Sequence, residues 1–527
     1  MVGDARHGYR LSDARCCPDR PARSRVTTVE HVSPDGIGSR IRSGLAWKAG
    51  SQITLQICRM VVALLLARLL APHDWGLAAM VLVFSGFVIV FTDSALGTAL
   101  IQRRQLHAGD RSTVFWASAG IGLLLMFSGF AVAGPLASFY GEPPIRALFM
   151  ALSVGFFVSA LGTTHSALLV RDMRFRPLEL RQIAATLVGA AAGITIALMG
   201  FGAWAIVGQQ LAEAATSTVV LWFLIPWRPS LTFSTSSLRR LGGFAGNVFG
   251  ENLLYQTGRN IGSLLIGRFL GAASLGTYAL ATNVILVPFS RIAGPLQQVF
   301  FPAFSRMSDD RARMAEVWIR ATRLVGVISI PSLVGLVIVA PDFVQVVLGP
   351  RWSAATPVIQ ILAWVGIIQS LQTLSGEVLL ALNRAGTLLR FTMLWFVGSL
   401  GAFVLGLQWG ILGVATCYAV ATVLIEPVRS YLTCRALGIP LSRFVGSLAG
   451  VAQATVVMAA AVLATRMALV AVGVPAAGRL FLLVLVGAVV YVAACLWRAP
   501  EVKLEIRVAI GLRRGANPRV ETLGAPL

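Results

Sequence analysis

Polar side chains with helical spacing occur inside two long apolar stretches of the chain. Gln52, Gln56 and Arg59 stand at positions i, i+4 and i+7, which places all three on one face of a helix. The same pattern returns in the second half of the chain, at Asn252, Gln256 and Arg259. A charge near the centre of a bilayer costs at least about 2.5 to 3.5 kcal/mol on insertion scales, so neither arginine can face lipid. We therefore expect both stripes to line a polar interior, where guanidinium groups can bind phosphate oxygens.

Further ionisable groups fall at a similar depth in other apolar stretches. Arg291 is a third candidate for anion binding. The candidates for ion coupling are carboxylates, at Asp93, Glu213, Glu251 and Glu377. The alternative is internal pairing, for instance of an arginine with Glu213 or Glu251, which would only hold the helices together.

Signals for catalysis, metals and cofactors are weak. Lysine occurs only at Lys48 and Lys503, and no GxxxxGK[ST] sequence is present, so the chain has no P-loop for ATP. His165 lies in a predicted helix, where packing explains it better than proton transfer. The six cysteines have neither metal-ligand nor disulfide-framework spacing. The sequence therefore predicts no enzyme, no metal site and no cofactor.

The composition is that of a membrane protein. Of the 527 residues, 56% are hydrophobic and 13% are charged, whereas a soluble chain has about 25% charged residues. Apolar stretches of about 20 residues, enough to cross roughly 30 Å of hydrocarbon as helix, recur along the chain. They are too long and too continuous for the strands of a barrel. The predicted fold class is an all-α polytopic membrane protein with about fourteen transmembrane helices.

The predicted helices alternate with loops of unequal charge. They begin near Gly44, Gly76, Val114, Ile145, Leu180, Ala203, Leu241, Gly276, Val317, Pro357, Leu388, Gly410, Phe444 and Gly478. Alternate loops are rich in arginine, and the loops between them contain few arginine or lysine residues. Because cytoplasmic loops carry the excess, both termini are predicted to be cytoplasmic, and most of the net charge of +22 is an orientation signal. The arginines form no basic domain, so no nucleic-acid partner is expected.

The first half of the chain is echoed in the second at an offset of 200 residues, which becomes slightly longer later in each half. Gly50, Gln56, Arg59, Arg68 and Gly76 align with Gly250, Gln256, Arg259, Arg268 and Gly276. Shared Gln and Arg inside apolar helices are costly and rarely coincide by chance. The halves should be related by a pseudo-two-fold axis along the membrane normal. The predicted domains are a disordered tail (1–43), two six-helix bundles (44–230 and 236–438), two additional helices (440–498) and a cytoplasmic tail (499–527).

Three segments carry a family resemblance. They read GLAWKAGSQITLQICRMVVALLLARLLAPHDWGLAAM, LLVRDMRFRPLELRQI and PDFVQVVLGPRWSAATPVIQILAW. They resemble the polysaccharide-transporter branch of the multidrug, oligosaccharidyl-lipid and polysaccharide exporter superfamily. The resemblance covers roughly residues 40 to 500 and recurs in both halves.

The resemblance implies a flippase of the bacterial inner membrane. Such proteins move undecaprenyl-pyrophosphate-linked oligosaccharide repeat units for exopolysaccharide, capsule or O-antigen synthesis by alternating access across a cationic cavity. The implied partners are the lipid-linked oligosaccharide, membrane lipids, a coupling ion (H⁺ or Na⁺) and polysaccharide polymerase machinery. Arg59, Arg259 and Arg291 match the implied role of holding the pyrophosphate, whereas no motif identifies the coupling carboxylate.

Other functions stay open at this point. A multidrug antiporter of the same superfamily would favour carboxylates in its cavity, whereas both stripes here carry arginine. A flippase of a peptidoglycan precursor fits the same residues. A membrane-embedded glycan polymerase or ligase would be expected to have a large extracytoplasmic loop, and the longest such loop, around Pro341 to Pro357, is short.

Overall fold

The computed structural model describes the backbone of residues 34–93, 100 and 108–498. Side chains are described over the same residues except 34–49, 51, 53, 85–93, 108, 235–259, 286–295 and 298. Helices account for nearly all of the described backbone, and no β-strand occurs within these ranges.

The helices follow one another through short turns. In chain order they are α1 (Pro34–Leu69), α2 (Pro72–Asp93), α3 (Ala108–Tyr140), α4 (Pro144–Arg171), α5 (Phe175–Leu198), α6 (Trp204–Leu224), α7 (Thr235–Arg306), α8 (Arg311–Phe343), α9 (Ala355–Leu371), α10 (Ser375–Ala381), α11 (Ala385–Gly406), α12 (Gly410–Leu437), α13 (Leu441–Ala471) and α14 (Ala476–Arg498). Short π and 3-10 turns lie at Val344–Leu348, Pro350–Trp352 and Leu407–Trp409.

The observed helix starts lie close to the predicted ones over most of the chain. α4 begins at Pro144 against a predicted start near Ile145, and α12 begins at Gly410 as predicted. The largest difference is in α1, which begins at Pro34 rather than near Gly44. Apolarity marks only the part of a helix that lies in lipid, and proline is well suited to the first helical turn, so the sequence pattern missed this extension.

Many of the described helices are long and apolar enough to span a bilayer. Nine such stretches occur among the described residues, and one of them, Ala385–Leu437, contains both α11 and α12. The prediction of an all-α polytopic membrane protein is confirmed. The total of about fourteen crossings stays a prediction, based on the length needed to span the hydrocarbon.

The internal repeat appears in the backbone as breaks at matching places. α1 ends at Leu69 and α2 begins at Pro72, whereas the corresponding break in the second half lies inside α7, at Gly271, where φ is 80° and ψ is 177°. The turns before α5 and α11 each hold a non-glycine residue at positive φ, Met173 at 53° and Asn383 at 57°. Few non-glycine residues adopt this conformation, so its paired occurrence supports the two-fold relation of the halves.

The two halves approach each other closely through a pair of repeat-related glycines. A Cβ on Gly76 in α2 would overlap the carbonyl oxygen of Ala272, and a Cβ on Gly276 in α7 would overlap that of Pro72. Pro72 corresponds to Ala272 in the repeat, as Gly76 does to Gly276, so the contact is itself two-fold symmetric. Only glycine allows backbones to approach this closely.

The same end of the bundle is also joined by polar and aromatic contacts. Trp352 Nε1 donates a hydrogen bond to the carbonyl oxygen of Ala67 at 2.6 Å, and its ring meets that of Trp75 edge-on, with centroids 6.1 Å apart. Arg68 Nη1 donates to the carbonyl oxygen of Val346 at 3.1 Å. We call this end, where α1 turns into α2, the α1–α2 end. The halves are therefore closed against each other at the α1–α2 end.

A buried carboxylate fastens α13 and α14 to the rest of the bundle. Asp342, at the end of α8, is 1% exposed. Its Oδ2 accepts from Arg466 Nε on α13 at 3.0 Å, and its Oδ1 accepts from Arg479 Nε on α14 at 2.6 Å. Both guanidinium groups share this one carboxylate, and one side chain holds three helices together.

Replacing Asp342 by alanine should destabilise the folded protein. The substitution leaves two arginines without their counter-ion, and losing one partner of a buried ion pair costs about 3 to 5 kcal/mol. We expect a clear drop in the thermal unfolding midpoint of the purified protein in detergent.

Glu316→Gln is the matched control for Asp342→Ala. It also removes one negative charge from α8. Glu316 lies 3.9 Å from Arg443 of α13 and both side chains are exposed, so the free energy of unfolding should change by less than about 1 kcal/mol. Equal midpoints for the two variants would show that Asp342 does not fasten α13 and α14.

Candidate functional site

The polar stripe on α1 faces the first half of the bundle. Gln52 Nε2 donates to Glu179 Oε2 on α5 at 3.2 Å. Arg59 Nη2 donates to Glu213 Oε1 on α6 at 2.9 Å, which makes an ion pair. Gln56 lies half-buried on the helix between them. The stripe therefore packs against α5 and α6. Its helical spacing predicts only that the three residues share a face, and its expected place in a polar interior between the halves stays a prediction.

Glu213 is the centre of a hydrogen-bond network. Its Oε1 accepts from Arg59, from Gln182 Nε2 at 2.7 Å and from Thr186 Oγ1 at 3.1 Å. Gln182 also accepts from Arg181 Nη2 at 3.2 Å through its Oε1. Three donors from two helices thus converge on one carboxylate oxygen, which is how a charge is stabilised away from bulk water.

Glycines on α5 make this network possible. A Cβ on Gly189 would lie 2.9 Å from the carbonyl oxygen of Gln209 and 3.1 Å from Cβ of Glu213. A Cβ on Gly193 would lie 2.9 Å from Cβ of Gln209. These two glycines form a GxxxG sequence, which lets membrane helices approach closely. The close packing of α5 and α6 brings Thr186, one turn from Gly189, within reach of Glu213.

The ion pair lies about half a hydrocarbon thickness from the α1–α2 end, measured along its two helices. At about 1.5 Å of rise per residue, Arg59 is roughly 15 Å from the end of α1 at Leu69, and Glu213 is roughly 14 Å from the start of α6 at Trp204. Half of the hydrocarbon thickness is also about 15 Å. The Arg59 side chain is 34% exposed and that of Glu213 is 17% exposed. Since a charge at this depth cannot face lipid, we infer that the exposed part of Arg59 faces a space inside the protein.

Sequence reasoning missed the partners of this stripe on α5. Glu179, Gln182 and Thr186 stand at i, i+3 and i+7, so they too lie on one helical face. The same search for polar spacing that found the stripe on α1 would have found them. They were overlooked because their stretch also contains the arginines of a predicted cytoplasmic loop.

Most of the other predicted site residues have side chains that the structure does not describe. Asn252, Gln256 and Arg259 belong to the first arm of α7, before its break at Gly271. The side chains of these three residues, and those of Asp93, Glu251 and Arg291, are not among the described ones. A shared cradle of Arg59 and Arg259 therefore stays a prediction. For Arg59 itself, the geometry corresponds to the alternative of internal pairing with Glu213.

Carboxylates of the second half have other surroundings. Glu377 lies half-buried in the first turn of the short helix α10. Glu426 on α12 is buried beside Arg429, one turn later, with 3.5 Å between the charged groups. Arg429 also stacks over the ring of Phe391 on α11, 4.6 Å from its centroid. Arg429 therefore connects α12 to α11, with Glu426 beside it on α12.

His165 is a packed residue. Its ring is fully buried and stacks on Trp222 at a centroid distance of 5.1 Å, with Trp227 at 5.4 Å. Phe115 meets it edge-on at 6.3 Å. This aromatic surrounding agrees with the prediction of packing.

Comparison with solved structures identifies the fold. The inward closed conformation of the lipid II flippase MurJ matches with a TM-score of 0.68 over 87% of this chain and 100% of that chain, at 14% identity. An inward-facing multidrug resistance MATE family transporter matches with a TM-score of 0.54 over 74% of this chain and 98% of that chain, also at 14% identity. At such identities, the likeness concerns the fold, which is the pair of related helical bundles predicted from the repeat.

Comparison with curated proteins finds relatives of similar length. The lipopolysaccharide biosynthesis protein WzxC of Escherichia coli is 27% identical over 74% of this chain and 80% of its own length. The teichuronic acid biosynthesis protein TuaB of Bacillus subtilis is 27% identical over 78% and 86%, respectively. The succinoglycan biosynthesis transport protein ExoT of Rhizobium meliloti is 26% identical over 63% and 67%.

A family model covers the region that contains most of the elements described above. The model for the family described as "Polysaccharide biosynthesis protein" matches residues 65–357, which is more than half of the chain. The match runs from the end of α1, through the glycine contact between the halves, to the start of α9. This chain belongs to the polysaccharide biosynthesis protein family.

Proposed function

We propose that this protein is a flippase that translocates undecaprenyl-pyrophosphate-linked oligosaccharide repeat units across the bacterial inner membrane for exopolysaccharide, capsule or O-antigen synthesis. The single observation that carries the proposal is the match of the polysaccharide biosynthesis family model to more than half of the chain. Relatives named for lipopolysaccharide, teichuronic acid and succinoglycan biosynthesis support it. The protein is proposed as a transporter and not as an enzyme.

The physical need for such a protein follows from the substrate. Its diphosphate and glycan are strongly hydrated, whereas its polyprenyl tail is apolar. Moving a charged head group through hydrocarbon without help costs tens of kcal/mol by continuum estimates. Guanidinium groups stay charged when desolvated and bind phosphate oxygens in a planar fork, so Arg59, Arg259 and Arg291 are the proposed contacts for the diphosphate. Gln52, Gln56, Asn252 and Gln256 are proposed to bind polar groups nearby.

The closed α1–α2 end supports a two-state transport cycle. Under the proposed orientation, with both termini in the cytoplasm, this end faces the periplasm, so the structure corresponds to a state closed on that side. Release then requires the contact of Gly76 and Gly276 to open while the opposite ends of the bundles approach. Coupling to H⁺ or Na⁺ and contact with a polymerase remain proposals, with Asp93, Glu213, Glu251 and Glu377 as the candidate coupling groups.

A multidrug antiporter is the second candidate, since MATE transporters have a similar fold. Organic cations would be attracted to an excess of carboxylate, whereas the described stripe pairs each acidic group with a donor, Glu213 with Arg59 and Glu179 with Gln52. A flippase of a peptidoglycan precursor would use the same diphosphate chemistry. Identifying the lipid-linked intermediate that accumulates in a deletion strain would separate these functions, because it names both the lipid and the glycan.

Arg59→Ala and Arg259→Ala should each reduce export of polysaccharide. A hydrogen bond to a charged group is worth about 1.5 to 3 kcal/mol, so the expected loss is about 10-fold to 100-fold, and the double variant should lose more. Arg→Lys should retain part of the activity if charge suffices and little if the planar fork is needed. The measurement is complementation of a strain that lacks its own repeat-unit flippase, at matched protein levels in the membrane.

The control for the arginine variants is Arg146→Ala. Arg146 is exposed in the first turn of α4, so its removal changes net charge equally but leaves the interior intact. Full export by both Arg59→Ala and Arg259→Ala would rule out the proposed diphosphate contacts.

Alanine at either repeat-related glycine should impair transport by opening the α1–α2 end. The added Cβ would meet a backbone carbonyl, which no side-chain rotation can relieve. Because the contact is two-fold, Gly76→Ala and Gly276→Ala should lose export to a similar extent, by about 10-fold or more if closure costs 1.4 kcal/mol.

Gly134→Ala on α3 is the matched control, since its added Cβ meets no atom within 4 Å. It should export normally. Wild-type export by both Gly76→Ala and Gly276→Ala would mean that this close approach is not needed in the transport cycle.

A further inference from the structure

The Glu213 carboxylate contacts the Arg59 guanidinium, which is the group proposed to bind a substrate phosphate. The carboxylate oxygen lies 2.9 Å from Arg59 Nη2, which is the distance expected of a guanidinium bound to a phosphate oxygen. We infer that Glu213 is an internal competitor for the diphosphate, which holds Arg59 when the site is empty and returns to it to release the substrate. This inference rests on the proposed function. It assigns Glu213 a role in releasing the substrate, in addition to its place among the candidates for ion coupling.

The charge balance of the pair sets up the competition. Arg59 and Glu213 together are neutral, so an arriving anion gains little attraction until the two separate. A diphosphate diester carries about two negative charges and a carboxylate carries one, so the diphosphate can displace Glu213 when the head group is well placed. Because both partners lie on the first half of the bundle, on α1 and α6, the exchange does not require Arg259.

The network makes separation of the pair inexpensive. When Arg59 leaves, Oε1 of Glu213 keeps its hydrogen bonds from Gln182 and Thr186, which are both neutral donors on α5. A buried carboxylate without partners would cost several kcal/mol, whereas one held by two donors costs much less. Arg59 is the more exposed member of the pair, so it is the side chain free to turn toward the anion.

Competition has a direction that distinguishes it from a structural ion pair. If Glu213 only supports the fold, removing its charge should weaken both the protein and its binding of anions. If Glu213 competes, removing its charge should make Arg59 available in a larger fraction of the protein molecules. The apparent dissociation constant for the anion should then fall in inverse proportion to that fraction. Tighter binding is therefore expected to accompany slower release and reduced export.

Binding of farnesyl diphosphate to the purified full-length protein tests the inference. The probe carries a diphosphate on a short prenyl tail, and farnesol, which has the same tail without charge, reports binding by the tail alone. We expect Glu213→Gln to bind the probe about tenfold more tightly than wild type, equivalent to about 1.4 kcal/mol. Arg59→Gln should bind at least about tenfold more weakly, and the double variant should behave like Arg59→Gln, since without Arg59 there is nothing to compete for.

Glu316→Gln is the control for charge, because Glu316 is exposed on α8 and the substitution removes one negative charge. It should change the affinity by less than about twofold, since exposed charges are screened. Glu213→Asp should restore an affinity close to wild type if the carboxylate itself competes. Thermal unfolding of each variant, measured in parallel, separates loss of folding from loss of binding.

The outcomes separate the inference from the proposed function. Weaker or unchanged binding by Glu213→Gln, with weaker binding by Arg59→Gln, would overturn the competition and leave the diphosphate contact in place. Unchanged binding by Arg59→Gln would overturn both the contact and the competition. If wild type binds farnesyl diphosphate no better than farnesol, recognition of the diphosphate itself fails, and the inference fails with it.

Discussion

The energetic cost of charge in hydrocarbon explains the placement of the buried ionisable groups in this protein. Arg59 meets Glu213 within the first half of the bundle, and Asp342 meets Arg466 and Arg479 at the end of α8. Each contact places opposite charges together, which lowers the cost of holding them inside a membrane. These contacts differ in their surroundings. Asp342 is almost completely buried between three helices and acts as a fastener, whereas Glu213 is 17% exposed beside an Arg59 side chain that is 34% exposed. Of the two acids, Glu213 is the more accessible.

The internal repeat has consequences at the level of single atoms. Gly76 and Gly276 lie at equivalent positions in the two halves, and each accommodates the carbonyl oxygen of a residue that is equivalent in the other half. A contact between equivalent positions on a pseudo-two-fold axis constrains both partners at once. The need for small residues there explains why these glycines recur, and it lets the two backbones approach closely beside the side-chain contacts of Trp352 and Arg68.

Not every part of the bundle follows the symmetry. The carboxylate of Glu213 draws its donors from α1 and α5, whereas Glu426 on α12 pairs with Arg429 on its own helix. These are two different arrangements among the described side chains, one between helices and one within a helix. The backbone nevertheless keeps matching positive-φ positions in the two halves, at Met173 and Asn383.

The amino-acid sequence by itself determined the class of fold, most helix starts, the repeat and the family, because apolar length, glycine positions and costly intramembrane Gln and Arg are local properties that survive in a linear pattern. It also placed Gln52, Gln56 and Arg59 on one face, since helical spacing is local too. Only the tertiary structure decided that this face meets Glu179 and Glu213, that Asp342 fastens α13 and α14, and that Gly76 meets Ala272. These contacts join residues that are far apart in the chain. They depend on how closely the helices pack, and the pattern of side chains on one helix cannot specify that packing.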